Sequence, residues 1–198
     1  MRCLLASLAL TFLAATVHAE SAPFAKAASI HVVLETSRGE IELVIDTVHA
    51  PGAAANFLRY VGAGLYDGGV FHRTVRPDNQ PGQTILIEVI QGGIDPTRSK
   101  LDGPPIALER TRDTGLKHSD GAISMARDGP DTATSDFFIC IGAQPELDFG
   151  GKRNPDGQGF AAFGHVVRGL DVVRAIQRSP ADGQALKPTV KIIRGRRL

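Results

Sequence analysis

Residues 119–141 read SDGAISMARDGPDTATSDFFICI. Two apolar runs stand in this stretch, Ala122 to Ala126 and Phe137 to Ile141, and the polar loop between them carries Gly129, Pro130 and several Asp and Thr residues. Short apolar runs bounded by Gly, Pro and Asp read as buried strands on either side of a loop. Side chains alternate along a strand, so Asp136, Phe138 and Cys140 share one face while Phe137 and Ile139 share the other. Phe137 is the core candidate of the two adjacent phenylalanines.

Working outward, the same loop-and-strand grammar continues. Upstream stand Ala55-Asn56-Phe57, Phe71-His72-Arg73 and Gln91-Gly92-Gly93. Within the central stretch stand Ser124-Met125-Ala126, Gly129-Pro130 and Ser135 followed by Phe137-Phe138-Ile139-Cys140. Downstream come Leu147-Asp148 and Phe163-Gly164. This ordered set resembles the cyclophilin family of peptidyl-prolyl isomerases, and the resemblance runs from about Ile30 to Ile193, nearly the whole chain after its first segment.

That first segment reads as a secretory signal peptide over 1–19. Arg2 supplies a positive start, residues 3–17 are dominated by Leu, Ala and Phe, and Val17-His18-Ala19 is a small-residue cleavage site. An uncleaved anchor is the alternative, but the apolar run is shorter than the roughly 20 residues a spanning helix needs. Residues 20–29 read as a flexible leader and 30–198 as one domain. The expected location is the periplasm or the outside of the cell. The chain has 22 Lys and Arg against 21 Asp and Glu, and losing Arg2 leaves the two signs level at 21 each. Such balance disfavours nucleic acid or a membrane surface as the main partner. Proline-containing polypeptides are the expected partners and a monomer the expected state. Cys140 is then the lone cysteine, which excludes an intrachain disulfide and suits an inert buried thiol.

In chain order, strands are expected over 30–36, 40–45, 70–75, 84–91, 122–126, 137–141, 161–167 and 189–194, with 106–109 as a further short strand. Pro51 opens a helix whose apolar residues Ala54, Phe57, Leu58 and Val61 follow helical spacing. Leu170, Val173, Ile176 and Gln177 trace a second, stopped by Ser179-Pro180. So few helices cannot cross over a parallel sheet. The pattern leaves a sandwich and a barrel equally open. The resemblance implies an all-β fold, mainly: a closed eight-stranded antiparallel barrel with a helix over each end.

Rotation about an X-Pro bond breaks no covalent bond. Its barrier, about 18–20 kcal/mol, is lost amide resonance, and a donor aimed at the proline nitrogen acts only at the twisted transition state. The site needs an apolar socket, one strong donor and backbone groups that hold the peptide, and no metal or cofactor. Arg73 is the candidate donor, because arginine stays charged and presents a rigid fork. The resemblance makes it the catalytic arginine, Gln91 its partner that also bonds substrate backbone, and Phe138 the proline socket lined by Val89, Leu147 and Phe160. It gives Ala126 and Arg127 backbone contacts to the peptide. His72 is assigned to substrate contact, with packing as the alternative. Asp136 stands where many members carry glutamine, Glu146 where some carry tryptophan, Phe160 in place of a histidine or tyrosine, and Glu88 in place of a phenylalanine; substrate preference should follow these departures. The 17 residues between Arg73 and Gln91 are about nine more than usual.

Rival readings are weaker. His31, His49, His72, His118 and His165 show no paired zinc-ligand spacing. A Ser-His-Asp hydrolase is not excluded by composition, although no G-x-S-x-G motif is present. A non-catalytic module gripping Pro-containing segments is the alternative to the enzyme, and the presence of Arg73 and Gln91 favours the enzyme.

Overall fold

The computed structural model describes residues 30–198. The segments read as a signal peptide and leader lie outside the described residues. The alternating run at Ile30–Thr36 forms β1, which turns at Ser37-Arg38 into β2 (Gly39–Ile45). Helix α1 (Pro51–Gly62) follows, with Pro51 in its first turn. Next come β3 (Val70–Val75), β4 (Val89–Gly93), the single turn α2 (Thr111–Thr114), β5 (Ala122–Met125) and β6 (Phe137–Cys140). The chain closes with β7 (Ala161–Arg168), α3 (Leu170–Gln177), the two-residue β8 (Ala181–Asp182) and β9 (Ala185–Arg197).

Every pairing is antiparallel, in the order β1-β2-β7-β5-β6-β4-β3-β9, and β9 returns to β1. Eight strands thus form a closed barrel, leaving no long edge open. β8 is a short hairpin arm on β9. The barrel settles the choice that alternation left open.

The interior is one apolar cluster. The inward residues of β6, Phe137 and Ile139, meet Phe71, Ile90, Ile123 and Phe163 there, with Phe57 descending from α1. Phe137 is fully buried and touches Phe57, Tyr66 and Phe71 edge-on at 5.5, 5.3 and 5.8 Å between ring centroids. Edge-to-face contact at these separations adds to area burial. α1 packs against β7 and β9, and α3 against β2, β3 and β4. Gly169, just before α3, has φ +87°, and a Cβ there would strike the Glu40 carbonyl. Only glycine fits this junction.

Three local expectations are corrected. Residues 106–109 form no strand; Ile106 makes a single bridge to Ala133, and Glu109 does something else. Its two carboxylate oxygens accept the Gly52 and Ala53 N–H groups, each at 2.8 Å. These are orphan donors of the first turn of α1, and a negative charge is favoured at that end. Glu109→Ala should therefore cost about 1 kcal/mol of stability, with Glu109→Gln losing less. Urea titration of the variants checks this; an unchanged midpoint for the alanine variant would remove the capping role.

The second correction concerns 84–88. Ladder pairing begins only at Val89. Side chains serve the preceding backbone instead: Gln80 accepts from Ile87 N–H at 3.2 Å and donates to its carbonyl at 2.9 Å, Gln144 accepts from Glu88 N–H at 3.1 Å, and Arg153 donates to the Ile85 carbonyl at 2.6 Å. Third, the last strand is longer than expected, reaching from Ala185 to Arg197, and α2 was not foreseen.

Candidate active site

A bulge in β3 decides the geometry. Phe71 pairs with Gly92 and Arg73 with Gln91, so His72 has no counterpart on β4. By simple alternation Arg73 would follow Phe71 into the interior. The extra residue re-aims it, as bulges do, and Arg73 and Val75 face outward. Val75 joins Ile87, Val89, Ala122, Phe138, Cys140 and Leu147 in a second apolar cluster on the outside of the barrel, with Ala126 and Phe160 packed against it.

Over this face lies an open cavity of about 540 Å³. Nine sequence-predicted residues line it together: Arg73, Val89, Gln91, Ala126, Arg127, Asp136, Phe138, Leu147 and Phe160. The tenth does not. His72, the bulged residue, is outside the lining; its side chain is 38% exposed and its Nε2 lies 3.5 Å from an Asp136 oxygen. The ring thus stands exposed at the edge of the lining, beside the cavity residue Asp136, where both substrate contact and packing stay open to it.

Arg73 is held by neutral oxygens. Its Nη1 donates to Gln91 Oε1 at 2.9 Å, while Nε and Nη2 both donate to Gln184 Oε1, at 2.9 and 2.7 Å. Gln91 in turn donates through Nε2 to Asp136 at 3.0 Å, which fixes which end of its amide faces the arginine. Burial lowers the Arg73 pKa from its ordinary value, but a guanidinium has range to spare and stays charged. A second cation, Arg153, lines the same cavity; burial and the charge of Arg73 lower its pKa too.

Phe138 is the cavity's apolar wall, and it is only 4% exposed. Phe160 meets it edge-on at 5.2 Å, and the His118 ring stacks behind it at 5.8 Å and 14°. His118 is pinned on both sides. One ring nitrogen lies 2.8 Å from Asp148 Oδ1 and the other 3.0 Å from Ser124 Oγ. Burial would raise the Asp148 pKa, yet hydrogen bonds from the His118 ring and backbone hold it below the usual carboxylate range. This is a Ser-His-Asp constellation, but Ser124 and His118 are buried and stand outside the cavity lining. The hydroxyl is fully buried, and the His118 ring it holds stacks on Phe138, so the constellation braces that ring.

The Arg127 side chain is only 1% exposed. It grips Asp156 with two bonds, at 2.8 and 3.0 Å, donates twice to the Gly159 carbonyl, and lies 5.0 Å over the Phe160 ring. The guanidinium is thus committed to fixing the 156–160 loop, leaving the Arg127 backbone for any peptide. Glu146 points elsewhere: its carboxylate accepts from Lys152 N–H at 2.8 Å. Glu88 bonds Gln177 of α3 at 2.8 Å. Burial raises the pKa of Cys140, with Asp148 and Asp120 adding to the shift, so the thiol stays protonated.

Sequence reasoning missed Asp102, Thr132, Thr134, Arg153 and Gln184. The first four line the cavity from loops, and Gln184 acts from the β8–β9 turn. None sits in a short motif. Among the described residues no three His, Cys, Asp or Glu side chains are placed to hold a metal ion, and no helix is long and apolar enough to cross a membrane.

Comparison with known proteins now adds to this geometry. Residues 31–196 match the family model described as cyclophilin type peptidyl-prolyl cis-trans isomerase/CLD. The chain is 39% identical over 161 residues to peptidyl-prolyl cis-trans isomerase A of Dickeya dadantii, covering 80% of this chain and 76% of that one. It is 35% identical over 147 residues to peptidyl-prolyl cis-trans isomerase cyp18 of Streptomyces antibioticus, covering 74% and 82%. The crystal structure of a Cryptosporidium parvum cyclophilin type peptidyl-prolyl cis-trans isomerase shares the fold, with a TM-score of 0.70 at 22% identity, over 86% of this chain and 98% of that one. With a family model matched across its whole barrel, this chain belongs to the cyclophilin-type peptidyl-prolyl cis-trans isomerases.

Proposed function

We propose that the cleft binds an extended polypeptide with a proline ring against Phe138 and speeds rotation about the X-Pro bond. The observation that carries this is the pairing of a guanidinium held by two neutral amide oxygens with a buried apolar wall in one cavity. Phe138, Val89, Leu147 and Phe160 offer the ring a dry surface. Ala126 and Arg127 offer backbone groups at the rim of β5. As the amide twists, the proline nitrogen regains its lone pair, and Arg73 supplies a donor where that charge develops. No nucleophile or general base takes part. The related Cryptosporidium enzyme has also been crystallised in the presence of the dipeptide Ala-Pro, which supports proline-containing ligands for this cleft. The direct test is the isomerisation rate of an X-Pro peptide with wild type and with Arg73→Ala. Equal rates would end the proposal.

The setting is part of the same reading. The charge-apolar-small pattern of residues 1–19 supports export to the periplasm or beyond, where a monomer acts on folding polypeptides. Mass spectrometry of the protein recovered from outside the cytoplasm should find a chain starting at Glu20. A chain still carrying Met1 would refute cleavage.

A further inference from the structure

We infer that Gln184 is a positioning residue for the isomerisation, fixing the angle of the Arg73 fork; the inference rests on the reading of Arg73 given above. Arginine has five N–H donors. Gln184 Oε1 takes two of them, from Nε and Nη2, and Gln91 Oε1 takes one from Nη1. Two N–H groups remain, one on each terminal nitrogen, on a guanidinium that lines the cavity. A fork gripped at Nε and Nη2 by one oxygen cannot rotate about its own axis without losing both bonds.

The clamp is itself held at several points. Gln184 Nε2 donates to the Asn79 carbonyl at 3.1 Å, so its amide has one sensible orientation. The Gln184 backbone carbonyl accepts from Thr74 N–H at 2.9 Å, beside Arg73 in β3. Asn79 donates to the carbonyls of Thr74 and Gly183, both at 3.0 Å, tying the turn to the strand. The 111-residue separation between Gln184 and Arg73 is closed only by the barrel.

The chemistry of the clamp matters as much as its place. Both acceptors on Arg73 are neutral amides, so the fork is oriented while its charge stays available. A carboxylate at 184 would orient it equally well but would neutralise it. A bare apolar side chain would leave the charge and free the angle. Misplacement by about 1 Å is enough to cost about 10²-fold in rate.

The test is a double-mutant cycle on kcat and on peptide affinity. Gln184→Leu should lower kcat by about 10- to 100-fold and leave the Kd of an X-Pro peptide nearly unchanged. In an Arg73→Ala background, adding Gln184→Leu should change nothing further, because the fork it orients is gone. Equal losses in both backgrounds, tracking a lower Tm, would make Gln184 a purely structural residue. Gln184→Glu, which keeps size and an acceptor, covers the case of a leucine variant that does not fold; its kcat should fall too, through the lost charge. Wild-type kcat in the Gln184 variants alongside a slow Arg73→Ala would overturn this inference alone. A fast Arg73→Ala would overturn the isomerase mechanism instead.

Discussion

Arg73→Ala is expected to lower kcat/KM by about 10²–10³-fold, the scale for removing one donor aimed at a charge that forms only in the transition state. The loss should fall on kcat. In the ground state the proline nitrogen is an amide nitrogen with its lone pair delocalised, and it accepts no strong hydrogen bond. In the proposed mechanism peptide binding draws instead on Phe138, Val89, Leu147 and Phe160, which line the cavity. Arg73→Lys should restore little, since an ammonium cannot engage Gln91 and Gln184 with the geometry of a planar fork. The variant should fold, because the arginine lies on the outer face of β3 and its removal opens no hole in the barrel. A loss confined to KM would show that the arginine binds substrate without assisting rotation.

The second large effect separates two neighbours in one strand. Phe137→Ala should destabilise the protein by about 3–5 kcal/mol, a large share of the 5–15 kcal/mol typical of a domain. Its ring is fully buried against Phe57, Tyr66 and Phe71, and rigid aromatic neighbours cannot close the gap. Phe138→Ala should cost less, about 1.5–3 kcal/mol, because the space it leaves opens on the cavity and fills with water. It is not free of cost, as an exposed socket ring would be: Phe138 is 4% exposed and braced by His118 and Phe160. Its signature is kinetic, with substrate binding and turnover falling together. Thermal melts of the two variants decide the matter. A larger drop for Phe138→Ala would mean the two faces of β6 were assigned in reverse.

The two faces of β6 were legible because alternation is local: Phe137 and Phe138 sit on opposite sides whatever the rest of the chain does. α1 and α3 were legible for the same reason, through spacing along one segment. The clamp on Arg73 was not. It needs Gln184, which reaches the arginine only after β9 has paired with β3. The bulge at His72 was equally hidden, since Phe71-His72-Arg73 reads as plain strand and only the register against Gly92 and Gln91 exposes the extra residue. Residues 84–88 look like strand because Ile85-Leu86-Ile87 runs on into Val89-Ile90 with only Glu88 between, yet Gln80, Gln144 and Arg153 satisfy much of their backbone from the side. Glu109 shows the same limit. Its place at the head of α1 depends on a contact 57 residues away. The motifs carried the family and most of the cavity, while the contacts that orient the functional groups are tertiary.

In the proposed mechanism Arg73 acts on the twisting amide and not on the bound ground state. Exchange NMR on an X-Pro peptide saturating the enzyme reports both quantities at once: the bound-state cis-to-trans and trans-to-cis rates, and the dissociation constants of the two isomers. Between wild type and Arg73→Ala, both bound-state rates should fall by the same large factor while both dissociation constants hold. Unchanged bound-state rates with weakened binding would contradict the account.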